Sequence, residues 1–366
     1  MQKKHRNIII SGGGTGGHIF PAIAIANAIK KRFADVDILF VGALGKMEMN
    51  KVPEAGYPIE GLWISGFQRR LTIKNLMFPI KLLSSLVKAR LIIKKFKPDV
   101  VIGVGGYASG PTLKMANRQN IATLIQEQNS FPGITNRLLA NKVNCICVAY
   151  EGLEKYFPKD KIVLTGNPVR EEVVSIHGKY KDAQDFFGLK SGKKTVLVVG
   201  GSQGAVSINK STAANLNVFM ENDIQLIWQT GIYYYTEATD LVGESVSVKV
   251  HAFIKRMDLA YAAADLVISR AGAIAISELS LVKKPVIFIP LPSAAEDHQT
   301  KNARALADHG AALIIKDSDA EKELPGLLIP LIKDDKKLKE ISANISTFAS
   351  PNATDLIVNE IEKLIK

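Results

Sequence analysis

Asn7-Ile8-Ile9-Ile10-Ser11-Gly12-Gly13-Gly14-Thr15-Gly16-Gly17-His18-Ile19-Phe20-Pro21 decides the fold class of this chain. An apolar run, a glycine cluster and a helical pattern follow one another, which predicts strand, tight turn and helix. The strand is expected over Asn7–Ser11 and the helix over Pro21–Phe33, with the proline in its first turn. The same succession restarts far downstream. Thr195–Val199 runs into Gly200-Gly201-Ser202-Gln203-Gly204-Ala205, and a second helical pattern follows. Short continuous apolar runs alternate with helical periodicity along the rest of the chain, as buried parallel strands do. Strand–helix alternation predicts α/β architecture with doubly wound parallel sheets. The restart predicts two Rossmann-like domains facing across a cleft, with ligands at the carboxyl ends of the strands.

The first turn has the spacing G-x-G-x-x-G at Gly12, Gly14 and Gly17. Backbone N–H groups in such a turn approach phosphate or sugar oxygens with no Cβ in the way. Dinucleotide binding also needs an acid at the end of the second strand. That strand ends Leu39-Phe40-Val41-Gly42-Ala43, so NAD is disfavoured. No Lys-Ser/Thr follows the glycines, which excludes a P-loop. A further glycine turn, Gly103-Val104-Gly105-Gly106-Tyr107-Ala108-Ser109-Gly110-Pro111, follows another apolar run. Three glycine turns at strand ends point to a large polar ligand read through the backbone. Asp35-Val36-Asp37 and Asp317-Ser318-Asp319 share a D-x-D spacing, but each stands where caps and strand starts stand, so both read as structural. Cys145 and Cys147 alternate on one strand face and read as buried thiols, not as a metal pair.

The chain has 366 residues, 47 Lys+Arg and 35 Asp+Glu, a formal charge of +12, and is 47% hydrophobic. That excludes disorder as the main state. The charge is uneven: 24 basic and 10 acidic side chains lie in residues 1–165, against 23 and 25 afterwards. Between Leu62 and Pro98 stand Arg69, Arg70, Lys74, Lys81, Lys88, Arg90, Lys94, Lys95 and Lys97, with no acid among them. Such a field attracts an anionic partner. Pro79–Pro98 reads as a helix with Lys81, Lys88 and Lys95 in one stripe and Ile80, Leu83, Val87 and Leu91 in another. This pattern fits a membrane-surface helix. It equally fits a helix whose apolar stripe packs on the core while its lysines meet solvent. Leu71, Ile73, Leu76, Met77 and Phe78 add apolar surface before it. No nucleic-acid motif accompanies the basic run, so nucleic acid is not an expected partner. No run approaches 18 apolar residues, and the N-terminal one is too short for a signal peptide, so a cytoplasmic protein is expected.

Seven motifs in order carry a resemblance. They are Gly13-Gly14-Thr15-Gly16-Gly17-His18-Ile19-Phe20-Pro21, Gly105 to Pro111, Glu127-Gln128-Asn129, Gly166-Asn167-Pro168-Val169-Arg170, Gly200 to Ala205, Arg270-Ala271-Gly272-Ala273 with Ser277-Glu278, and Asp297-His298-Gln299 with Asn302-Ala303. Together they resemble the MurG family of bacterial transferases, which move N-acetylglucosamine from a UDP donor onto lipid-linked muramyl-pentapeptide. The resemblance implies the GT-B arrangement of two Rossmann-like domains. It implies an acceptor and membrane-binding domain over 1–165, a UDP-sugar domain over 166–346, and a final helix within 347–366 crossing back to the first.

The resemblance also implies inverting transfer to the muramyl C4 hydroxyl, lipid I becoming lipid II in peptidoglycan synthesis. That work supports cell shape and division from the cytoplasmic face of the inner membrane, on an anionic surface. No cofactor or metal is implied, because helix ends and arginine can stabilise the leaving UDP. His18 is the expected base, directly or by orienting the acceptor, and Glu127 its rival. Gly14, Thr15, Gly16 and Gly17 form the first loop, and Asn129 contacts sugar. Arg170 and Ser202 reach phosphate, and Ile254 lies beside the uracil. Ala273, Ile274, Ala275, Ile276 and Ser277 lead the diphosphate helix to Glu278, which holds the ribose. Gln299 reads the donor sugar. The rival readings are a UDP-N-acetylglucosamine 2-epimerase, a GT-B transferase with another lipid acceptor, and a non-catalytic binding module.

Overall fold

The structure, a computed structural model, describes residues 5–66, 77–201, 203–294 and 297–365. The chain divides into two compact units, Met1–Arg170 with Ser350–Lys366, and Glu171–Ala349.

The first unit is built on a parallel seven-stranded sheet in the order β3-β2-β1-β4-β5-β6-β7. The strands are β1 (Arg6–Ser11), β2 (Val36–Ala43), β3 (Ile59–Leu62), β4 (Val100–Gly103), β5 (Ala122–Glu127), β6 (Cys145–Val148) and β7 (Ile162–Leu164). Ile8, Ile9 and Ile10 are all fully buried. Ile8 and Ile10 face one core and Ile9 the opposite one, so both faces of β1 are covered. This is why the strand reads as an unbroken apolar run. The helix Ala353–Leu364 returns to this unit and seals the Ile8–Ile10 face with Ile357, Val358 and Ile361.

The second unit carries a parallel six-stranded sheet in the order β10-β9-β8-β11-β12-β13. Its strands are β8 (Thr195–Val199), β9 (Gln225–Gln229), β10 (Val248–His251), β11 (Leu266–Ser269), β12 (Val286–Phe288) and β13 (Leu313–Ile314). In each sheet the strand order reverses once, between β1 and β4 and between β8 and β11. Ligand sites of open α/β sheets form beyond the strand ends at such reversals. Each glycine turn, and the Arg270–Ala273 motif, lies at one of them.

Three details depart from the sequence expectations. The first helix spans Gly16–Arg32, so Pro21 lies inside it and not in its first turn. The helix Glu48–Glu54 and β3 had no expected counterpart. Both are short: β3 has four residues, and Pro53 interrupts the helical pattern. The Gly166–Arg170 motif falls in the first unit, not with the donor residues. Asn167 shows why, since its side chain bonds to Gln126 and to the Gln128 carbonyl. The D-x-D acids are engaged in local pairs. Asp35 and Asp37 flank the His5 ring at 2.7 and 3.3 Å, and Asp317 pairs with Arg270. Cys145 and Cys147 are free, buried thiols in the core.

Candidate active site

At the first sheet reversal two glycine loops lie back to back. A Cβ on Gly106 would stand 2.4 Å from the Gly13 carbonyl oxygen, and one on Gly12 would stand 2.1 Å from Val104 Cγ2. Gly13, Gly14, Gly105 and Gly106 all have positive φ. These glycines therefore serve loop-on-loop packing as well as access to a ligand. His18 sits where the loops meet, against Gly105. Its Nδ1 lies 3.0 Å from Gln128 Oε1. The Gln128 amide nitrogen donates to the carbonyls of Val104 and Gln126, at 2.8 and 3.2 Å. Its oxygen is thereby turned to the imidazole and accepts Nδ1–H, leaving the lone pair on Nε2. The His18 ring is half-buried, and burial pushes its pKa below the ordinary 6.5. The charge of Glu127, the hydrogen bonds to Gln128 and Val104, and the charge of Glu48 offset this in part.

Glu127 and Asn129 emerge from β5 on the face opposite to Gln126 and Gln128, by the two-residue period of a strand. Glu127 is buried, and its carboxylate accepts four hydrogen bonds. The donors are the Asn129 N–H and amide, the Gly133 N–H, and the Asn136 amide at 2.8 Å. Those bonds fill the acceptor positions of a carboxylate. The structure thus gives Glu127 the work of fixing the loop after β5 and supplying negative charge near His18. Arg170 stacks its guanidinium 4.4 Å above the Phe20 ring, and its Nε is buried with no protein partner.

The second unit repeats the device. A Cβ on Gly204 would meet the Thr230 carbonyl oxygen at 2.0 Å, so the turn after β8 packs on the turn after β9. Gln229, buried at the end of β9, donates to the Gly201 carbonyl and accepts the Ile254 N–H at 2.8 Å. Ile254 therefore has its N–H committed and its side chain buried. Ser202 lies outside the described residues. Helix Ala273–Val282 begins after Gly272, which offers no capping side chain. The first N–H groups, at Ala273, Ile274 and Ala275, are those a helix leaves unpaired. Ile276 differs from its expected binding role: its N–H bonds to the Gly272 carbonyl and its side chain is in the core. Ser277 donates its hydroxyl to the Ala273 carbonyl. Glu278 is buried one turn further and accepts the Tyr261 hydroxyl at 2.8 Å. Gln299 accepts the Leu291 N–H through Oε1, leaving its NH2 to donate. Beside it a cavity of about 490 Å³ is lined by Pro290, Pro292, Asp297, Thr300, Lys316 and Asp317.

Sequence reasoning missed Glu48, Gln126, Asn136, Gln229 and Tyr261. Gln126 and Gln229 did leave a signal, a polar amide closing an otherwise apolar parallel strand. The exposed face of helix Phe78–Phe96 resolves the open question about its apolar stripe. Ile80, Leu83, Val87 and Leu91 are 54–65% exposed. A different stripe, Ser85, Ala89, Ile92 and Ile93, is buried on the opposite side. At about 100° per residue, Lys81, Lys88 and Lys95 flank one side of the exposed stripe and Arg90 the other, while Lys94 stands within it. Leu71, Ile73 and Leu76, with Arg69, Arg70 and Lys74, lie outside the described residues. Among the described residues no helix is long and apolar enough to cross a membrane.

Known proteins match this chain throughout. The glycosyltransferase family 28 N-terminal domain matches residues 8–148, and the family's C-terminal domain matches residues 195–357. A Parabacteroides distasonis protein is 56% identical over 365 residues, covering 99% of each chain. It is named UDP-N-acetylglucosamine–N-acetylmuramyl-(pentapeptide) pyrophosphoryl-undecaprenol N-acetylglucosamine transferase. The crystal structure of Acinetobacter baumannii MurG is similar with a TM-score of 0.76 and 29% identity, over 98% of this chain and 99% of that one. A Neisseria meningitidis UDP-GlcNAc 2-epimerase bound to UDP-GlcNAc shares the fold at a TM-score of 0.69 and 14% identity, over 98% and 100%. The two-sheet architecture, the ordered motifs and the full-length identity agree: the chain belongs to glycosyltransferase family 28, among its N-acetylglucosaminyltransferases of the MurG family.

Proposed function

We propose that this chain transfers N-acetylglucosamine from UDP-N-acetylglucosamine to the C4 hydroxyl of lipid-linked N-acetylmuramyl-pentapeptide, with inversion. This is the conversion of lipid I to lipid II in peptidoglycan synthesis. The carrying observation is identity of 56% across 99% of both chains to a transferase of that name.

The reaction forms one bond and breaks one. The C4 oxygen bonds to the anomeric carbon as the bond from that carbon to UDP breaks. His18 takes the hydroxyl proton at Nε2, with Nδ1–H fixed on Gln128. Its lowered pKa keeps the ring neutral, as a base must be, at neutral pH. Glu127 acts through His18, holding the loop and stabilising the imidazolium as the proton arrives. Thr15, Gly16 and Gly17 contact the acceptor through their backbone N–H groups, the Gly14 N–H being held by Glu48, and Asn129 contacts its sugar. In the second unit the unpaired N–H groups of Ala273, Ile274 and Ala275, with Ser202, take up charge on the UDP leaving group. Arg170 offers a diphosphate its forked donors. The buried carboxylate of Glu278 suits the ribose hydroxyls as a hydrogen-bond acceptor. The Ile254 carbonyl remains for the uracil, because Gln229 holds its N–H. The Gln299 NH2 reads the donor sugar.

The exposed stripe and flanking cations of Phe78–Phe96 support peripheral docking on an anionic bilayer at the cytoplasmic face of the plasma membrane, where the polyprenyl acceptor lies. UDP release is measured with and without lipid-linked muramyl-pentapeptide. Acceptor-dependent release is the expected result. Conversion of the donor sugar alone would show an epimerase, and no turnover of either kind a binding protein.

A further inference from the structure

Glu48 is a carboxylate in an unusual place for one. It is 1% exposed, on the short helix after β2, in no motif that the sequence marks. Its Oε2 accepts the Gly14 N–H at 2.8 Å and its Oε1 accepts the Ala43 N–H at 3.0 Å. One carboxylate thus ties the first glycine loop to the end of the neighbouring strand. The fit is close on both sides. A Cβ on Gly13 would stand 2.2 Å from Glu48 Cδ, and one on Gly42 would stand 2.6 Å from Glu48 Cγ. Gly106 of the second glycine loop also packs against the Gly13 peptide, so that peptide is held by both Glu48 and that loop. That loop continues through Gly105, against which the His18 ring rests.

Backbone N–H groups of this kind form an anion site in nucleotide-binding folds. Here an internal anion already fills part of it. We propose that Glu48 is a positioning residue for His18, a built-in anion that occupies the Gly14 and Ala43 donors and fixes the loop from which the base projects. A ligand diphosphate is left the N–H groups of Thr15, which caps the helix, and of Gly16 and Gly17 in its first turn, where donors are free of intrahelical bonds. The charged groups acting on the imidazole are Glu127, from the end of β5, and Glu48. Both favour the imidazolium that forms as the acceptor proton is taken. The Gln128 side chain and the Val104 carbonyl supply the remaining contacts. The role of Glu48 in turnover rests on the transferase reading; its hold on the loop and on the His18 charge does not.

The test uses the full chain carrying Glu48→Gln, which keeps the size and removes the charge. The amide can accept only one of the two N–H groups and turns its own donors on the other. Acceptor-dependent kcat is expected to fall about 10²-fold, with KM for UDP-N-acetylglucosamine unchanged. The His18 imidazole, followed by NMR, is expected to titrate at lower pH than in the wild type. In Glu48→Ala, added formate is expected to refill the donor pair and restore both turnover and the titration midpoint. A Glu48 that merely supported the fold would lower the unfolding temperature and leave the midpoint unmoved. An unmoved midpoint in Glu48→Gln, or kcat close to wild type, overturns the proposal. Wild-type protein inactive toward the muramyl acceptor would sink the transferase reading instead, and the His18 titration would still decide the part played by Glu48.

Discussion

In the proposed mechanism the charge state of His18 decides turnover. Its pKa lies below 6.5, with burial as the largest cause. The neutral form therefore predominates at neutral pH, and the base is lost only as pH falls through the lowered value. The acid limb of kcat/KM for the acceptor should accordingly lie below pH 6.5, with a plateau above it until another group titrates. His18→Ala should lower kcat by roughly 10²–10⁴-fold while UDP binding, measured calorimetrically, stays as in the wild type. Near-normal turnover would remove His18 from the role of base. Residues differed in how readable they were. His18 stands inside a glycine motif, and its neighbours announce it. Glu48 stands between Met47 and Met49, and its partners are backbone N–H groups that look alike in every sequence. Glu127 was readable as a special carboxylate but not as a saturated one, because Gly133 and Asn136 reach it only once the loop is folded.

The helix Phe78–Phe96 carries the surface argument at the next scale. Its sequence holds two apolar stripes on opposite faces, and periodicity alone does not say which one meets the core. The small residues Ser85 and Ala89 decide it, since they let the helix approach the sheet closely while Ile92 and Ile93 fill the gap. Leu83→Glu with Leu91→Glu should weaken binding to anionic vesicles by about 10²-fold, if each leucine contributes about 1.5 kcal/mol on insertion. Vesicle sedimentation reads this directly. Both side chains face solvent, so stability should stay within about 0.5 kcal/mol of wild type. Unchanged sedimentation would place the docking face elsewhere. The strands with unbroken apolar runs were readable because both their faces are buried. β3 was not, because Ile59-Glu60-Gly61-Leu62 is short and polar enough to pass for a loop.

At the scale of the molecule, the alternation of strands and helices made both sheets readable, and the two glycine restarts marked their centres. Where the chain changes units was less readable. Gly166–Arg170 resembles a donor motif, yet side-chain bonds to Gln126 and Gln128 hold it in the first unit. The last helix is likewise a tertiary fact: its apolar face has several possible mates, and only packing selects the one beside Ile8 and Ile10. Ile361→Ala removes a fully buried side chain there. It should cost about 2–5 kcal/mol, seen as unfolding of the first unit at lower urea, whereas the same change at exposed Leu356 should be nearly silent.

That returning helix also imposes a schedule on synthesis. All seven strands of the first unit leave the ribosome before the second unit is made, and Ile357, Val358 and Ile361 emerge after it. Domains ordinarily fold in the order of their emergence. Here the first to be made is the last to be completed. Until residues 350–365 arrive, the nascent first unit shows water an apolar face that its own sequence cannot yet cover. Among the described residues the core of the second unit is drawn from positions 173–348, so it can close while its predecessor waits.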